Sequence, residues 1–446
     1  MREMKDSGVE WIGEIPKEWA TRKIKFIASL AGRIGWQGLT SEEYSDEGAY
    51  LITGINFKNG KIDWNSCVHV PMSRWEEATQ IQIKSGDLLI TKDGTVGKVA
   101  IAEDVPYETS LNSGVLLIRN DYTCDTRFLF WMIQSEVFWK WFGIINSGNS
   151  TIIHLYQQDF YNFSFPFPDK SSQERIVDYL DAKCFQIDSI IEKQQAIIEK
   201  LKEYKLSVIT EAVTKGLNPD VEMKDSGIRK LKQIPKNWDE IKITRMLDSN
   251  SNYPMGDGDH GLIKTDDYKE EGIPYIRVQN LGWGTELLLD NVIYISEEDH
   301  ERIKSSELHP GDILFCKTGA TIGKTGMIPE NIPIANTTSH VGKITLDKKY
   351  NPRFVFYYLS SHIGYVQFWD IACLKSTRPE LAIEETKAIK IAIPKDKTEQ
   401  DAIVQFLDLK CKELDVTISS KEKVIEKLQE YKKSLIYEVV TGKKEV

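Results

Sequence analysis

The feature that most constrains this chain is that it says almost everything twice. Residues 4–19 read MKDSGVEWIGEIPKEW, and residues 223–238 read MKDSGIRKLKQIPKNW. SGDLLITKDGTVGKVAI (85–101) is answered by PGDILFCKTGATIGKTGMI (310–328). IEKLKEYKLSVITEAVT (198–214) is answered by IEKLQEYKKSLIYEVVT (425–441). Three matched blocks in one order identify a tandem duplication, and self-similarity of this kind sets the architecture before any residue-level reading. Between the blocks, residues 29–84 and 102–165 share little with 248–309 and 329–393. Two explanations stand: drift after duplication, or one scaffold carrying two different recognition surfaces.

Each copy opens on an Ile-Pro-Lys-x-Trp turn and continues into short β-branched and aromatic runs broken by Gly, Asn and Asp, which read as strands. LLIT, VAIA and VLLIR play this part in the first copy, and DILFC, GMIP and GKITL in the second. One helix is expected over Arg127 to Phe142 and another over Arg353 to Trp369. A strand-rich α+β domain follows for each copy. A long helix then closes each, with Ser171 or Ser172 expected to cap the first and Thr398 the second. Apolar positions fall at Leu180, Cys184, Ile187, Ile191, Ile198, Leu201, Val208 and Ala212, and at Leu407, Cys411, Leu414, Ile418, Ile425, Leu428, Leu435 and Val439. This is heptad spacing. Gln194 and Lys205, and Lys421 and Lys432, interrupt the two seams at matching places. A lone helix cannot bury such a stripe, so antiparallel pairing of the two is expected, with packing on a partner protein as the alternative. The boundaries read as 1–170, 171–216, 217–397 and 398–446: domain, helix, domain, helix, a pseudo-twofold tandem repeat.

Chemistry is hard to place on this sequence. Gly319-Ala-Thr-Ile-Gly323-Lys324-Thr325 has three residues between its glycines where a phosphate-binding loop needs four, and its counterpart at Gly94 lacks the final hydroxyl. No dinucleotide fingerprint, zinc-protease helix or nucleophile elbow is present. The six cysteines form no C-x-x-C pair and the seven histidines show no metal spacing. No catalytic residue and no metal site are expected. No apolar run reaches membrane-spanning length and the start lacks a secretory pattern, so a cytoplasmic protein is expected.

What remains is polyanion chemistry. Lys92, Thr95 and Lys98 lie in one Gly-rich loop, and Lys317, Thr318, Thr321 and Lys324 in the other. Glycines let a tight loop approach a phosphate backbone, while Lys and Thr donate to phosphates or base edges. A plain hairpin with surface lysines is the other reading. A second polar cluster precedes each long helix: Asn149, Thr151 and His154, then Lys375, Thr377 and Arg378. Arg378 has the fork that reads guanine, or serves as a salt-bridge partner. The net charge is -10, with 24 basic against 32 acidic residues in 1–222. Any nucleic-acid site is therefore a local patch, or is shared with a more basic partner.

Taken together, the Met-Lys-Asp-Ser-Gly opening, Ile-Pro-x-x-Trp, the Gly-Asp-[Leu/Ile]-Leu…Gly-Lys loop, the Gln-x-x-Ile-Val entry at Gln173 and Gln400, and the Glu-Lys-Leu-x-Glu-Tyr-Lys helix resemble the specificity subunit of type I restriction–modification enzymes. The resemblance covers essentially the whole chain, twice. It implies two target recognition domains, each reading one half of a bipartite double-stranded DNA target, and long helices that act as spacer and as docking platform for modification (methyltransferase) subunits. It implies that catalysis belongs to partners, a modification subunit using S-adenosylmethionine and a restriction subunit using ATP and magnesium. This chain would hold no cofactor itself. The competing reading is a coiled-coil scaffold that binds only proteins.

Overall fold

The computed structural model describes residues 2–35, 38–147, 153–284, 287–373 and 379–446. They form two compact units, Met1–Gln194 with Lys423–Val446, and Gln195–Glu422. Each unit combines one strand-rich domain with portions of both long helices, Lys170–Lys215 and Lys397–Val440.

The first unit is built on a six-stranded sheet. Its first four members, in spatial order, are Ala28–Gly32, Val115–Asn120, Leu88–Thr91 and Val99–Ile101. A three-stranded sheet beside it pairs Thr109–Leu111 in parallel with Ala49–Ile52, which pairs antiparallel with Val68–Val70. The second unit repeats the plan. Met255–Asp257, Val341–Ile344, Ile313–Cys316 and Thr325–Met327 form one sheet in that order, and Ala335–Thr337 pairs in parallel with Ile273–Ile276, which pairs antiparallel with Ile293–Ile295. The middles whose sequences share little therefore share a topology. The central strands are buried along their whole length, which constrains apolar character rather than identity, so a strand keeps its place while most of its residues change.

Two expectations are corrected here. Each aromatic helix is in fact two: Thr126–Gln134 and Glu136–Ile145, then Pro352–Ser360 and His362–Ala372. Ser135 and Ser361 make the break. Each hydroxyl donates back to the ending helix, at Met132 O and Tyr358 O, and accepts from the first turn of the next. The long helices are capped not by Ser171, Ser172 or Thr398 but by aspartates just before them. Asp169 accepts from the Ser172 amide at 3.0 Å and the Ser172 hydroxyl at 2.9 Å, and Asp396 accepts from the Thr398 amide at 2.9 Å. The Ser172 amide and hydroxyl hold the Asp169 carboxyl below the ordinary carboxylate range, and the Thr398 hydroxyl and amide do the same for Asp396.

Within each unit the two helices run antiparallel. In the first, Asp188 meets Lys432 while Arg175 reaches Val446 O. In the second, Lys205 meets Asp415, and Gly216 lies against Glu399. The apolar stripe feeds each core. Ile176, Leu180, Cys184 and Ile187 pack with Leu435 and Val439 in the first unit, and Ile209, Ala212 and Val213 with Ile403, Leu407 and Cys411 in the second.

Two of the three lysines that interrupt the seams, Lys205 and Lys432, have a common explanation. Lys205 is buried and places Nζ 2.8 Å from both Asp415 oxygens, and Lys432 sits 2.6 Å from both Asp188 oxygens. A buried ammonium without its carboxylate costs about 3–5 kcal/mol, whereas the pair itself contributes little and chiefly specifies register. Lys205→Asp is accordingly expected to lower the urea midpoint of the second unit, and adding Asp415→Lys to restore most of it. If the double variant melts no higher than the single one, the pair does not set the register.

Each domain is latched to its long helix by a matched set of contacts. Arg127 Nε lies 2.6 Å and Trp131 Nε1 2.8 Å from the Asp181 carboxylate. Arg353 Nε and Tyr357 Oη donate to Asp408 at 2.8 and 2.6 Å. Gln173 and Gln400 tie the residues that cap the preceding helices, accepting from the Asp125 and Asn351 amides at 2.7 and 2.9 Å. Rigid support of this kind lets loops at the sheet ends hold a defined shape.

Candidate nucleic-acid interface

The Gly-Lys loops leave the ends of neighbouring, matched strands. In the first unit Thr91 is the root: its amide donates to Lys98 O at 2.9 Å, and its hydroxyl accepts from the Lys98 amide at 3.0 Å and donates to Thr95 O at 2.5 Å. In the second, the Cys316 amide donates to Lys324 O at 2.8 Å, and its thiol sits 3.2 Å from Thr321 Oγ1. Lys98 leads into the strand Val99–Ile101 and Lys324 into a strand beginning at Thr325, so no helix N-terminus follows the lysine as a nucleotide site requires. Gly97 and Gly323 adopt φ of +86° and +92°. Aromatic rings back both: a Cβ on Gly97 would lie 2.7 Å from Trp139 Cζ2, and one on Gly323 2.7 Å from Tyr365 Cδ2.

The segment that follows the second polar cluster meets this loop in both units. Leu155 N donates to Lys92 O at 3.0 Å and Leu381 N to Lys317 O at 2.9 Å, the same bond in both units. His154 Nδ1 lies 2.6 Å from Asp93 Oδ1 beside it. Of the cluster residues, Asn149, Thr151, Lys375, Thr377 and Arg378 lie outside the described residues.

Lys92, Lys98, Thr95, Thr318, Thr321 and Lys324 are exposed or half-buried on the loops. Lys317 is different, and its expected place among the DNA contacts is corrected. It is buried, ion-paired to Asp257, and lies 3.5 Å from Ser339 O. Its charge is spent inside the fold, where it supports the loop.

Two further segments complete each rim, and sequence reading missed both. The turn Asn112–Val115 is bonded by Asn112 N to Ile52 O at 2.9 Å and by Lys92 N to Gly114 O at 2.8 Å. Its counterpart Thr338–Val341 is bonded by Thr338 N to Ile276 O at 3.3 Å and by Lys317 N to His340 O at 3.0 Å. His340 Nδ1 also contacts Thr318 Oγ1 at 3.2 Å. The last segment is the tight turn after Ile52 and after Ile276, described below. Only the pattern Ile-x-x-x-Asn survives there in both copies, too short to stand out from background.

Two matched rims, each of glycine-bearing loops with Lys, Thr and His at one sheet end, define a tandem-repeat recognition protein with two separate readers. The family model described as "Type I restriction modification DNA specificity domain" matches residues 16–206 and again 235–430, and the chain belongs to that family. It is similar to the putative type I restriction enzyme MjaX specificity subunit of Methanocaldococcus jannaschii, with 24% identity over 97% of this chain and 95% of the relative. It is similar as well to the EcoBI specificity subunit of Escherichia coli, with 26% identity over 91% of this chain and 82% of the relative. Among solved structures, a chain from work on complex assembly and conformational transition of the type I R-M system shares the fold. Its TM-score is 0.68 at 15% identity, covering 96% of this chain and 98% of the other. This protein is a specificity subunit with two DNA recognition domains, and the scaffold reading has no support from these relatives. Among the described residues, no helix is long and apolar enough to cross a membrane.

Proposed function

We propose that the two rims read the two halves of a bipartite double-stranded DNA target, and that the chain itself performs no catalysis. The observation that carries this is the matched construction of the rims. Four loop segments are held at the same strand ends by the same backbone bonds in both units, yet they display different side chains. Shared anchors with divergent tips are what two readers of two sequences need, because phosphate contacts position a protein while base-edge contacts specify the site. Lys92, Lys98 and Lys324 supply phosphate contacts, and Thr95, Thr318, Thr321 and His154 supply groove donors and acceptors. Asn149, Thr151, Lys375, Thr377 and Arg378, which lie outside the described residues, are further DNA contacts in this reading.

The partners in this reading are modification subunits, which bring S-adenosylmethionine and dock on the long helices within 171–216 and 398–446, and a restriction subunit, which uses ATP and magnesium. The complex works in the cytoplasm. With a chain at -10, most of the positive charge that encloses the DNA comes from those partners. Co-expression with a type I modification subunit in a methylation-free host, followed by single-molecule methylome sequencing, tests the proposal. Methylation confined to one split motif supports it, and methylation with no motif, or none dependent on this chain, overturns it.

A further inference from the structure

The third segment of each rim is a single 3-10 turn, Gly54–Asn56 in the first unit and Val278–Asn280 in the second. Both are built by one buried asparagine. Asn56 Oδ1 accepts from the Thr53 amide at 2.7 Å, and its Nδ2 donates to Ser66 O at 2.8 Å. Asn280 Oδ1 accepts from the Arg277 amide at 2.9 Å, and its Nδ2 donates to Leu288 O at 2.9 Å. With the carboxamide bonded at both ends and fully enclosed, each turn is held in one conformation.

The residue before that asparagine is displayed at the tip, and there the copies differ. Ile55 is 76% exposed and Gln279 is exposed. Both tips stand at the rim. Gly54 is packed so closely on Thr91, the root of the Gly-Lys loop, that a Cβ there would lie 3.1 Å from Thr91 Cγ2. The second turn leaves Ile276, whose carbonyl accepts from both the Thr338 amide and, at 3.0 Å, the Thr337 hydroxyl. An isoleucine held out in water on a rigid turn gains nothing for the fold, since its apolar area stays hydrated. The position is therefore free to be chosen by what meets it.

We infer that Ile55 and Gln279 are equivalent specificity-determining residues, one in each half-site, and that both report an A·T pair by different chemistry. Isoleucine meets the thymine C5-methyl group in the major groove. Glutamine donates to adenine N7 and accepts from the N6 amino group as a bidentate pair. The inference rests on the DNA-reading role proposed above and adds the residue, the base pair and the edge that is read.

The test uses the full chain co-expressed with its methyltransferase, with methylome sequencing of wild type, Ile55→Ala, Ile55→Gln and Gln279→Ala. Gln279→Ala is expected to relax one A·T position of the second half-site by ~10–100-fold, leaving the first half-site unchanged. Ile55→Ala is expected to relax one A·T position of the first half-site, and Ile55→Gln to reverse the strand preference of adenine and thymine there. A half-site lacking any A·T pair, a variant motif identical to wild type, or relaxation in the opposite half-site overturns the inference. A wild-type chain that directs methylation to no motif removes the DNA-reading role itself, so the two failures are distinguishable. The untouched half-site serves as the internal folding control, because a collapsed chain loses both.

Discussion

Gln173→Ala is expected to destabilise the first unit by about 3–5 kcal/mol. The side chain is fully buried and makes three bonds. It accepts from the Asp125 amide at 2.7 Å and donates to Thr123 O at 3.1 Å and Pro168 O at 3.0 Å. Each orphaned buried group costs about 1–3 kcal/mol, part of which water entering the new space would recover. Gln400 occupies the matching place with two bonds of this kind, to the Asn351 amide and to Pro394 O at 2.9 Å each. Gln400→Ala should therefore cost less, about 2–3 kcal/mol. Urea unfolding of each variant, with hydrogen exchange at the Asp125 amide, measures both. A Gln400 variant as damaging as the Gln173 variant, or an Asp125 amide still protected without its acceptor, contradicts this accounting.

The second large effect is expected on recognition rather than stability. Gly97→Val and Gly323→Val each force a β-branched residue into a left-handed conformation, at about 1–2 kcal/mol. Each also drives a Cβ into the ring of Trp139 or Tyr365, where overpacking adds about 1–3 kcal/mol. Loop and ring cannot both keep their places, and a valine that cannot hold the left-handed backbone displaces the loop even where the ring yields. Because 1.4 kcal/mol is tenfold in affinity, specific methylation should fall at least ~10-fold for either variant, while co-purification with the methyltransferase persists. Methylation at the wild-type rate with Val at both positions would show that these loops do not touch DNA.

The duplication, the strand-rich domains and the long helices were legible because they rest on periodicities. Heptads, alternation and turn residues are local properties that survive with any compatible residue set. The Gly-Lys loops were legible for a related reason: glycine in a left-handed turn has few substitutes, so the loops kept their letters in both copies. The cap positions missed by two or three residues because Asp, Ser and Thr all cap, and only the backbone shows which oxygen faces the free amides. The broken aromatic helices escaped notice because a serine in a helical run is compatible with continuation as well as with capping.

What this sequence determined by itself is the repeated plan: two α+β domains, two long amphipathic helices, and a glycine-lysine loop in each copy. What only the tertiary structure decided is which polar residues are available to a ligand. Lys92 and Lys317 are the same letter in the same motif, yet one is half-buried at the rim and the other is buried on Asp257. Asn56 and Asn280, inconspicuous in the text of the chain, carry the turns that present Ile55 and Gln279. The physical reason is that burial and pairing depend on groups brought close by strands distant in sequence, and no local pattern records that proximity.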